Sequence, residues 1–269
     1  LSYGYYAWRE GRLQTLSFSD DNTIRLAPTL NAGTAAVQVL LAKLYDYPRW
    51  MGALNGSGGF AELYERMYGN PWLRAQTVEP LFPPNLVQPE LELPFPVGRV
   101  WSFTGGPHSA WGPNSSWAAL DFAPSTTESG CVDSDEYVTA SASGVVVRSK
   151  NGVVVLDLDG DGREQTGWVL LYLHIATKDR APVGAALTTG DPIGHPSCEG
   201  GSSTGTHVHV VRKYNGEWIP ADGPLPFELS GWQAHAGSKE YQGTLTKENE
   251  IVTASPYGSF ETRIGHTAE

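Results

Sequence analysis

The N-terminal part of the chain combines helical and strand-like patterns of apolar residues. Apolar side chains recur every three or four positions in residues 34–45 and 59–68, namely Ala36, Val37, Leu40, Leu41, Leu44, Phe60, Leu63, Tyr64 and Met67. This period places them on one face of a helix, so both segments are predicted to be amphipathic helices. Residues 12–18 and 22–26 alternate instead, which predicts two short strands. Residues 1–82 are therefore expected to form a small, mixed and partly helical region.

A proline-rich stretch follows this region. Between residues 80 and 96 the prolines are Pro80, Pro83, Pro84, Pro89, Pro94 and Pro96. That density excludes a helix and favours an extended, polyproline-like chain. We therefore predict a linker over residues 83–98.

Beyond the linker the pattern becomes one of short strands. Residues 138–142, 145–149, 153–158 and 169–174 are apolar or β-branched runs separated by Gly and Asp-Gly turns. This pattern predicts a mainly β, antiparallel domain over residues 99–245. Residues 246–269 are polar and are expected to be a frayed or trimmed C-terminal tail.

Composition and charge limit the classes of function. With 269 residues, 40% hydrophobic and 17% charged, the chain is globular and forms one large or two small domains. The 18 basic and 29 acidic residues give a formal charge of −11, which argues against nucleic-acid binding and against a polybasic membrane contact. No apolar run is long enough to span a bilayer. The first residues lack a signal-peptide pattern, so we expect a processed or shortened chain whose start says little about location.

The most informative motif is a pair of histidines that follows a turn of small residues. His207 and His209 are separated only by Val208, and Val210 and Val211 follow. The valines favour a strand, in which side chains two positions apart project to the same side. Two imidazoles on one side suggest a metal site, but catalytic zinc usually has three protein ligands. Other candidate residues for such a site are His108, Asp121 and His174.

These residues resemble a known family. The elements that match it, in the family's order, are His108, Asp121, the Tyr172-Leu173-His174 triplet, the run from Cys198 to Gly205, and His207-Val208-His209. The chain from about Val100 to Leu245 is similar to the lysostaphin-type zinc endopeptidases of bacterial cell walls. The resemblance implies one zinc ion held by His108, Asp121 and His209. It also implies that His174 and His207 are catalytic residues that transfer protons or bind the oxyanion, without indicating which does which.

One departure from the family's commonest pattern concerns the first two ligands. His108 and Asp121 lie thirteen positions apart, since 121 − 108 = 13, whereas many members have them close together on one strand. This spacing resembles the staphylolysin-like subgroup. Taken singly, each candidate also has an ordinary explanation: a loop histidine at 108, a capping carboxylate at 121, a core histidine at 174. The ordered set favours the metal site. His195, His235 and His266 lie in no motif and are expected on the surface or in loops.

Further candidates have weaker support. Tyr172 of the family triplet and Trp111, next to the His108 segment, are candidate substrate contacts, with a core position as the alternative for Trp111. Asp157, Asp159 and Asp161 alternate in a turn, which is compatible with a loose calcium site or with a plain acidic hairpin tip. The only cysteines, Cys131 and Cys198, are expected to form a disulfide if the protein is exported, as the resemblance implies. The alternative is two buried free thiols.

The function implied by the resemblance is that of a secreted or cell-envelope zinc endopeptidase. Its partner would be a peptidoglycan peptide, in a stem or a cross-bridge, glycine-rich ones included. One alternative is a catalytically silent wall-binding or amidase-activating module on the same fold. Another is a zinc carboxypeptidase of soluble peptides. The sequence does not indicate the oligomeric state, the bond cleaved or the role of residues 1–82.

Overall fold

A computed structural model describes residues 1–77, 82–125 and 128–267. The chain forms two compact units: the first comprises Leu1–Pro84 with Gly112–Ser116, and the second comprises Asn85–Trp111 with Trp117–Glu269. Residues 78–81 of the predicted N-terminal region and 268–269 of the predicted tail lie outside the described residues.

The first unit is mixed and mainly helical. Its elements are α1 (Ser2–Arg9), β1 (Thr15–Ser17), β2 (Thr23–Arg25), α2 (Ala32–Leu44), α3 (Tyr47–Asn55), α4 (Phe60–Tyr68) and α5 (Pro71–Ala75). Helices α2 and α4 and the antiparallel pair β1–β2 confirm the predicted segments. Asn31 caps α2 by accepting a hydrogen bond from the backbone N–H of Thr34. Within the described ranges, every helix is too short or too polar to cross a lipid bilayer.

The core of the first unit lies between the hairpin and helices α2 and α3. Leu16 and Phe18 from the hairpin pack with Val39 of α2 and with Trp50 and Leu54 of α3. Helix α4 behaves differently, because none of its residues is buried despite its amphipathic pattern. The apolar periodicity therefore predicted this helix without predicting its burial.

The second unit consists of antiparallel sheets, as the strand pattern predicted. Its strands are β3 (Val100–Ser109), β4 (Trp117–Pro124), β5 (Val138–Thr139), β6 (Gly144–Lys150), β7 (Val153–Asp157), β8 (Trp168–Leu173), β9 (Ala186–Leu187), β10 (Pro192–Gly194), β11 (Val208–Tyr214), β12 (Glu217–Trp218), β13 (Glu228–Leu229), β14 (Trp232–Ala236), β15 (Gly243–Lys247), β16 (Glu250–Thr253) and β17 (Arg263–Gly265). The largest sheet has the order β17-β3-β4-β11-β8-β7-β6-β9, with β12 paired to β11. A second sheet has the order β13-β14-β15-β16, and β5 pairs with β10.

The register of the large sheet places the motif residues side by side. His209 on β11 lies opposite Asp121 on β4 and, on its other side, opposite Leu173 on β8. His108 on β3 lies opposite Ala119 on β4. His108, Asp121 and His209 are far apart in sequence but lie on the three adjacent strands β3, β4 and β11.

The segment predicted as a linker, 83–98, packs largely inside the second unit. It has no regular secondary structure, as its prolines require, but Leu91, Leu93 and Phe95 are buried in the main core. These side chains are two positions apart, so an extended chain directs all three to one side. Proline density therefore predicted the conformation, whereas the alternating apolar residues determine the packing.

The predicted polar tail, 246–269, also differs from expectation. Strand β15 continues to Lys247, β16 follows, a 3₁₀ turn spans Phe260–Thr262, and β17 pairs with β3. Ile264 lies buried opposite Trp101. Within β17 only Ile264 is buried, and its sequence neighbours are mostly polar. Local composition therefore predicted a tail, whereas the segment forms the edge strand of the large sheet.

Candidate metal centre

Three of the predicted site residues meet on adjacent strands. His108, Asp121 and His209 are all buried, and their ligand-type atoms lie within 4.8 Å of one another. Asp121 Oδ1 is 3.3 Å from His108 Nε2 and 3.2 Å from His209 Nδ1, and these two nitrogens are 3.0 Å apart. The structure therefore brings together the three side chains that the resemblance identified as a ligand set.

Space for the carboxylate comes from a glycine on β3. Gly105 lies opposite Asp121, next to an irregularity in the β3–β4 register. A Cβ atom at residue 105 would be 2.5 Å from Asp121 Oδ2 and 2.9 Å from its Cγ. Only glycine therefore leaves the carboxylate where it is.

Backbone carbonyls orient all four histidines of the site. The bonds run from His108 Nδ1 to Gly106 O (2.8 Å), from His174 Nδ1 to Glu199 O (2.8 Å), from His207 Nδ1 to Gly205 O (2.8 Å) and from His209 Nε2 to Ala110 O (3.1 Å). Because a carbonyl only accepts, the bonded nitrogen must be the one that has the proton. In the neutral rings the other nitrogen then has a free lone pair, which is the arrangement typical of metal-binding histidines.

The arrangement of lone pairs fits a cation. In the rings of His108 and His209, the nitrogens without a carbonyl partner are Nε2 and Nδ1, respectively, and they face each other at 3.0 Å. Asp121 Oδ1, which lies beside both, is buried and receives no hydrogen bond of good geometry. Two lone pairs and a carboxylate oxygen repel one another unless a proton or a metal ion lies among them. Two nitrogens and one oxygen also match the donor types that zinc uses.

The pKa values of the buried groups follow the same electrostatics. Burial alone would raise the pKa of Asp121, but the imidazoles of His108 and His207 hold it well below its usual range. Burial opposes protonation of His108 as well, and the Asp121 carboxylate outweighs it and raises the pKa of that imidazole. The carboxylate is therefore ionised and favours a positive charge beside it.

His174 and His207 form a second pair beside the cluster. Their ring centroids are 4.5 Å apart, and His207 Nε2 lies 3.8 Å from Asp121 Oδ2. Burial and then the neighbouring His207 lower the pKa of His174 to about 4, so this imidazole is neutral near pH 7. His174 also has a left-handed backbone, with φ of +66°, which is strained for a residue with a side chain.

Glu199 holds the segment that contains His174. Its backbone carbonyl orients the imidazole, while its carboxylate accepts hydrogen bonds from Thr177 N (2.8 Å) and Thr177 Oγ1 (2.6 Å). Arg180 Nη1 lies 3.8 Å from the same carboxylate. Glu199 thus fixes both the strained residue and the turn that follows it.

The predicted disulfide between Cys131 and Cys198 is present. It joins the residue before Glu199 to the segment in which Val132 exchanges two hydrogen bonds with Thr206, through Val132 N (2.9 Å) and Val132 O (2.6 Å). Thr206 directly precedes His207. The bond therefore braces both ends of the turn between Glu199 and His207.

The two predicted substrate contacts have different environments. Tyr172 is 0% exposed, and its hydroxyl accepts a hydrogen bond from the backbone N–H of Ser141 at 2.8 Å. Burial raises its pKa to about 12. The prediction for Tyr172 is wrong, because a side chain in the core cannot contact substrate. Trp111 is 48% exposed, and its role stays a prediction.

The acidic turn after β7 does bring Asp157, Asp159 and Asp161 together. Groups of the same turn hydrogen-bond to these carboxylates: Gly162 N to Asp157 (2.8 Å), Asp161 N to Asp159 (3.3 Å), and Arg163 N (2.8 Å) and Thr166 Oγ1 (2.5 Å) to Asp161. These bonds are those of an acidic hairpin tip. Calcium therefore has no part in the function proposed below.

Tyr241 and its neighbour Glu240 also lie at the site, although no sequence pattern predicted them. The ring of Tyr241 stacks on that of His108, with centroids 4.1 Å apart and planes inclined by 22°. Burial, then Asp121 and Glu240, raise the pKa of the phenol, which stays protonated near pH 7. The residue belongs to a loop of ordinary composition, so only the pairing of distant strands reveals its position.

Comparison with known proteins agrees with this geometry. A family model described as "LasA, N-terminal domain" matches residues 1–83. Protease LasA of Pseudomonas aeruginosa is 29% identical over 265 residues, covering 90% of this chain and 57% of that protein. The beta-lytic metalloendopeptidase of Achromobacter lyticus is 28% identical over 200 residues, covering 71% of this chain and 47% of that protein. The chain thus spans about half the length of these relatives.

Among solved structures, the M23 metalloprotease pseudoalterin from the deep sea has a TM-score of 0.51 at 21% identity. The match covers 63% of this chain and 96% of that one, and it shows a common fold. Relatives by sequence and a shared fold thus agree with the ordered histidines and aspartate, and together they support a relationship of the chain to the M23, or lysostaphin-type, metallopeptidases.

Proposed function

We propose that this protein is a secreted zinc-dependent endopeptidase that hydrolyses peptide bonds of bacterial peptidoglycan. The observation that supports it most is the buried cluster in which the nitrogens of His108 and His209 that have no carbonyl partner face the Asp121 carboxylate. The names of the relatives, a protease and a beta-lytic metalloendopeptidase, agree with a lytic peptidase. The disulfide is in keeping with an oxidising, extracellular compartment.

His108, Asp121 and His209 would hold the zinc ion through the three atoms that meet in the cluster. When bound, zinc acts as a Lewis acid that activates a water molecule and polarises the scissile carbonyl. The backbone bonds to Gly106 and Ala110 keep the two imidazoles in the tautomers that this role needs.

His174 and His207 would handle the protons of the reaction. Since the Nδ1 proton of each ring is committed to a carbonyl, only Nε2 is available to exchange a proton. One Nε2 accepts the proton as water adds to the carbonyl carbon, and a proton is returned to the amine nitrogen as the C–N bond breaks. Tyr241, whose ring stacks on that of His108, would donate its hydroxyl hydrogen bond to the carbonyl oxygen as its charge develops.

The test combines metal analysis with digestion of purified peptidoglycan. The zinc-loaded chain should release peptides whose new termini, read by mass spectrometry, identify the bond. His207→Ala should keep its zinc and lose about a hundredfold or more of the activity, as expected for a proton-transfer residue. Asp121→Ala should lose most of the zinc. His235→Ala is the matched control, because its Nε2 bonds to Thr246 within the second sheet.

Three outcomes would contradict the proposal or a part of it. If zinc-loaded protein released no peptide from peptidoglycan, the substrate assignment would fail. If it trimmed only the C-terminal residues of soluble peptides, a carboxypeptidase would replace the endopeptidase. Loss of zinc from His207→Ala would mean that His207, rather than His209, is a ligand.

A further inference from the structure

The loop that contains Tyr241 is tied to the strand that contains His108. We call residues 237–242, which join β14 to β15, the 237–242 loop. Gly106 N donates to Tyr241 O at 2.9 Å, so the loop pairs with β3 two residues before His108. A Cβ atom at residue 106 would be 2.6 Å from the backbone of Gln242, so glycine permits this close approach.

Tyr241 needs more than this single bond to stay in place. Its side chain is 51% exposed, and its φ of +68° lies in the left-handed region, where tyrosine is strained. Its ring stacks on that of His108, while about half of the side chain stays exposed to solvent. Without a second attachment, the ring of a half-exposed loop tyrosine samples several rotamers.

Glu240 provides that second attachment. One of its carboxylate oxygens, Oε1, accepts from Ser109 N at 3.1 Å and also from Ser109 Oγ. Ser109 directly follows His108 in β3. The carboxylate therefore fastens the residue before Tyr241 to the residue after His108, and hydrogen bonds to a charged acceptor are stronger than neutral ones.

We propose that Glu240 is a positioning residue that holds the Tyr241 ring against His108. It acts through Ser109 and the loop rather than by touching substrate. The attachment itself consists of the hydrogen bonds between Glu240 and Ser109. Its catalytic consequence, a correctly placed Tyr241 hydroxyl, rests on the proposed peptidase function.

The first test measures the attachment without any activity. Amide hydrogen exchange of Gly106, read by NMR, reports on its bond to Tyr241. Glu240→Leu removes the acceptor and should speed this exchange by about tenfold or more. Glu240→Gln keeps an oxygen at Oε1 and should stay within about threefold of wild type. Glu228→Leu is the matched control, because Glu228 is an exposed glutamate on β13, in the sheet that contains β14 and β15. Exchange of the Gly106 amide should be unchanged in this variant.

The second test separates positioning from folding. With a peptide substrate, Glu240→Leu should lower kcat by about tenfold while KM stays within about twofold, and Glu240→Gln should restore most of kcat. In a Tyr241→Phe background, Glu240→Leu should lower kcat by less than about twofold more, because the group that it positions is already gone.

The outcomes distinguish this proposal from the proposed function. Unchanged Gly106 exchange in Glu240→Leu would overturn the attachment even if the enzyme were active. A full additional loss of kcat in the Tyr241→Phe background would show that Glu240 acts by another route. If wild-type protein cleaved no peptide, the peptidase would be refuted, and the exchange data would still decide whether Glu240 holds the loop.

Discussion

Replacing Gly105 by alanine would place a methyl group against the Asp121 carboxylate. The added Cβ would lie 2.5 Å from Oδ2, whereas ordinary van der Waals contact begins near 3.4 Å. The carboxylate would have to move by about 1 Å, since 3.4 − 2.5 is 0.9. It has little room to do so, because His108 and His209 already lie 3.3 and 3.2 Å from Oδ1.

The expected magnitude follows from the tolerance of metal sites. Ligand distances are held to within about 0.2 Å, so a shift of about 1 Å takes the carboxylate out of range. Gly105→Ala should therefore weaken zinc binding by about 100-fold, equivalent to ~2.7 kcal/mol. The backbone itself should accept alanine, since the φ of Gly105 is outside the left-handed region.

The assay is a zinc titration against a chelating indicator, with thermal unfolding measured in EDTA to monitor the fold. Gly265→Ala on β17 is the matched control, because its Cβ would meet only Val100 Cγ2 at 3.9 Å. We expect unchanged zinc affinity in Gly265→Ala. Zinc affinity in Gly105→Ala within about threefold of wild type would refute the reasoning that this glycine makes room for a ligand.

Two further predictions concern stability. The Cys131–Cys198 bond closes a loop across 67 positions, for which chain entropy gives a stabilisation of about 4 kcal/mol. Reduction of this bond should therefore lower the free energy of unfolding, measured in urea, by about 4 kcal/mol. A loss of less than about 1 kcal/mol would contradict this prediction. Hydrogen bonds from the Ser230 hydroxyl, and to a smaller extent from the His266 imidazole, hold the pKa of Glu92 below its ordinary value of 4.5. The ionised carboxylate therefore stabilises the folded state above pH 4.5, and this stabilisation is lost as the pH falls through the lowered pKa. The difference in unfolding free energy between wild type and Glu92→Gln should therefore shrink on acidification, and a difference that is constant from pH 7 to pH 3 would be evidence against this role.

The sequence predicted the elements whose signal is local. Periodicity identified α2, α4 and the strands β6, β7 and β8, and the spacing of His207 and His209 on a strand explains why their side chains project to the same side. The resemblance supplied the predicted ligand set, because Asp121 taken alone could be a capping carboxylate, although its apolar neighbours Leu120 and Phe122 make an unpaired charge there costly. The register of β4 against β11 then shows why Asp121 meets His209.

The features that the sequence missed depend on distant pairing. Ile264 and His266 lie in a polar segment, and only pairing with β3 and a hydrogen bond from His266 to Phe95 O show that they are buried. Tyr172 illustrates the opposite error, because its fully apolar surroundings in β8 already indicated the core. Gly105 did have a signal, as one of two glycines before His108, but its reason becomes visible only with Asp121 opposite it.

Because the orienting partners of the four histidines belong to the main chain, they are insensitive to most point mutations. Every amino acid has a carbonyl, so substitutions at Ala110 or Gly205 change the acceptor only if they alter the path of the backbone. Gly205, where a Cβ atom would make only ordinary contacts, can therefore be varied to seek new specificities while the His207 imidazole keeps its tautomer, whereas Ala110 is buried and Gly106 has no room for a side chain. Insertions and deletions near these carbonyls are the changes that would disorient the rings, and variant libraries should avoid them there.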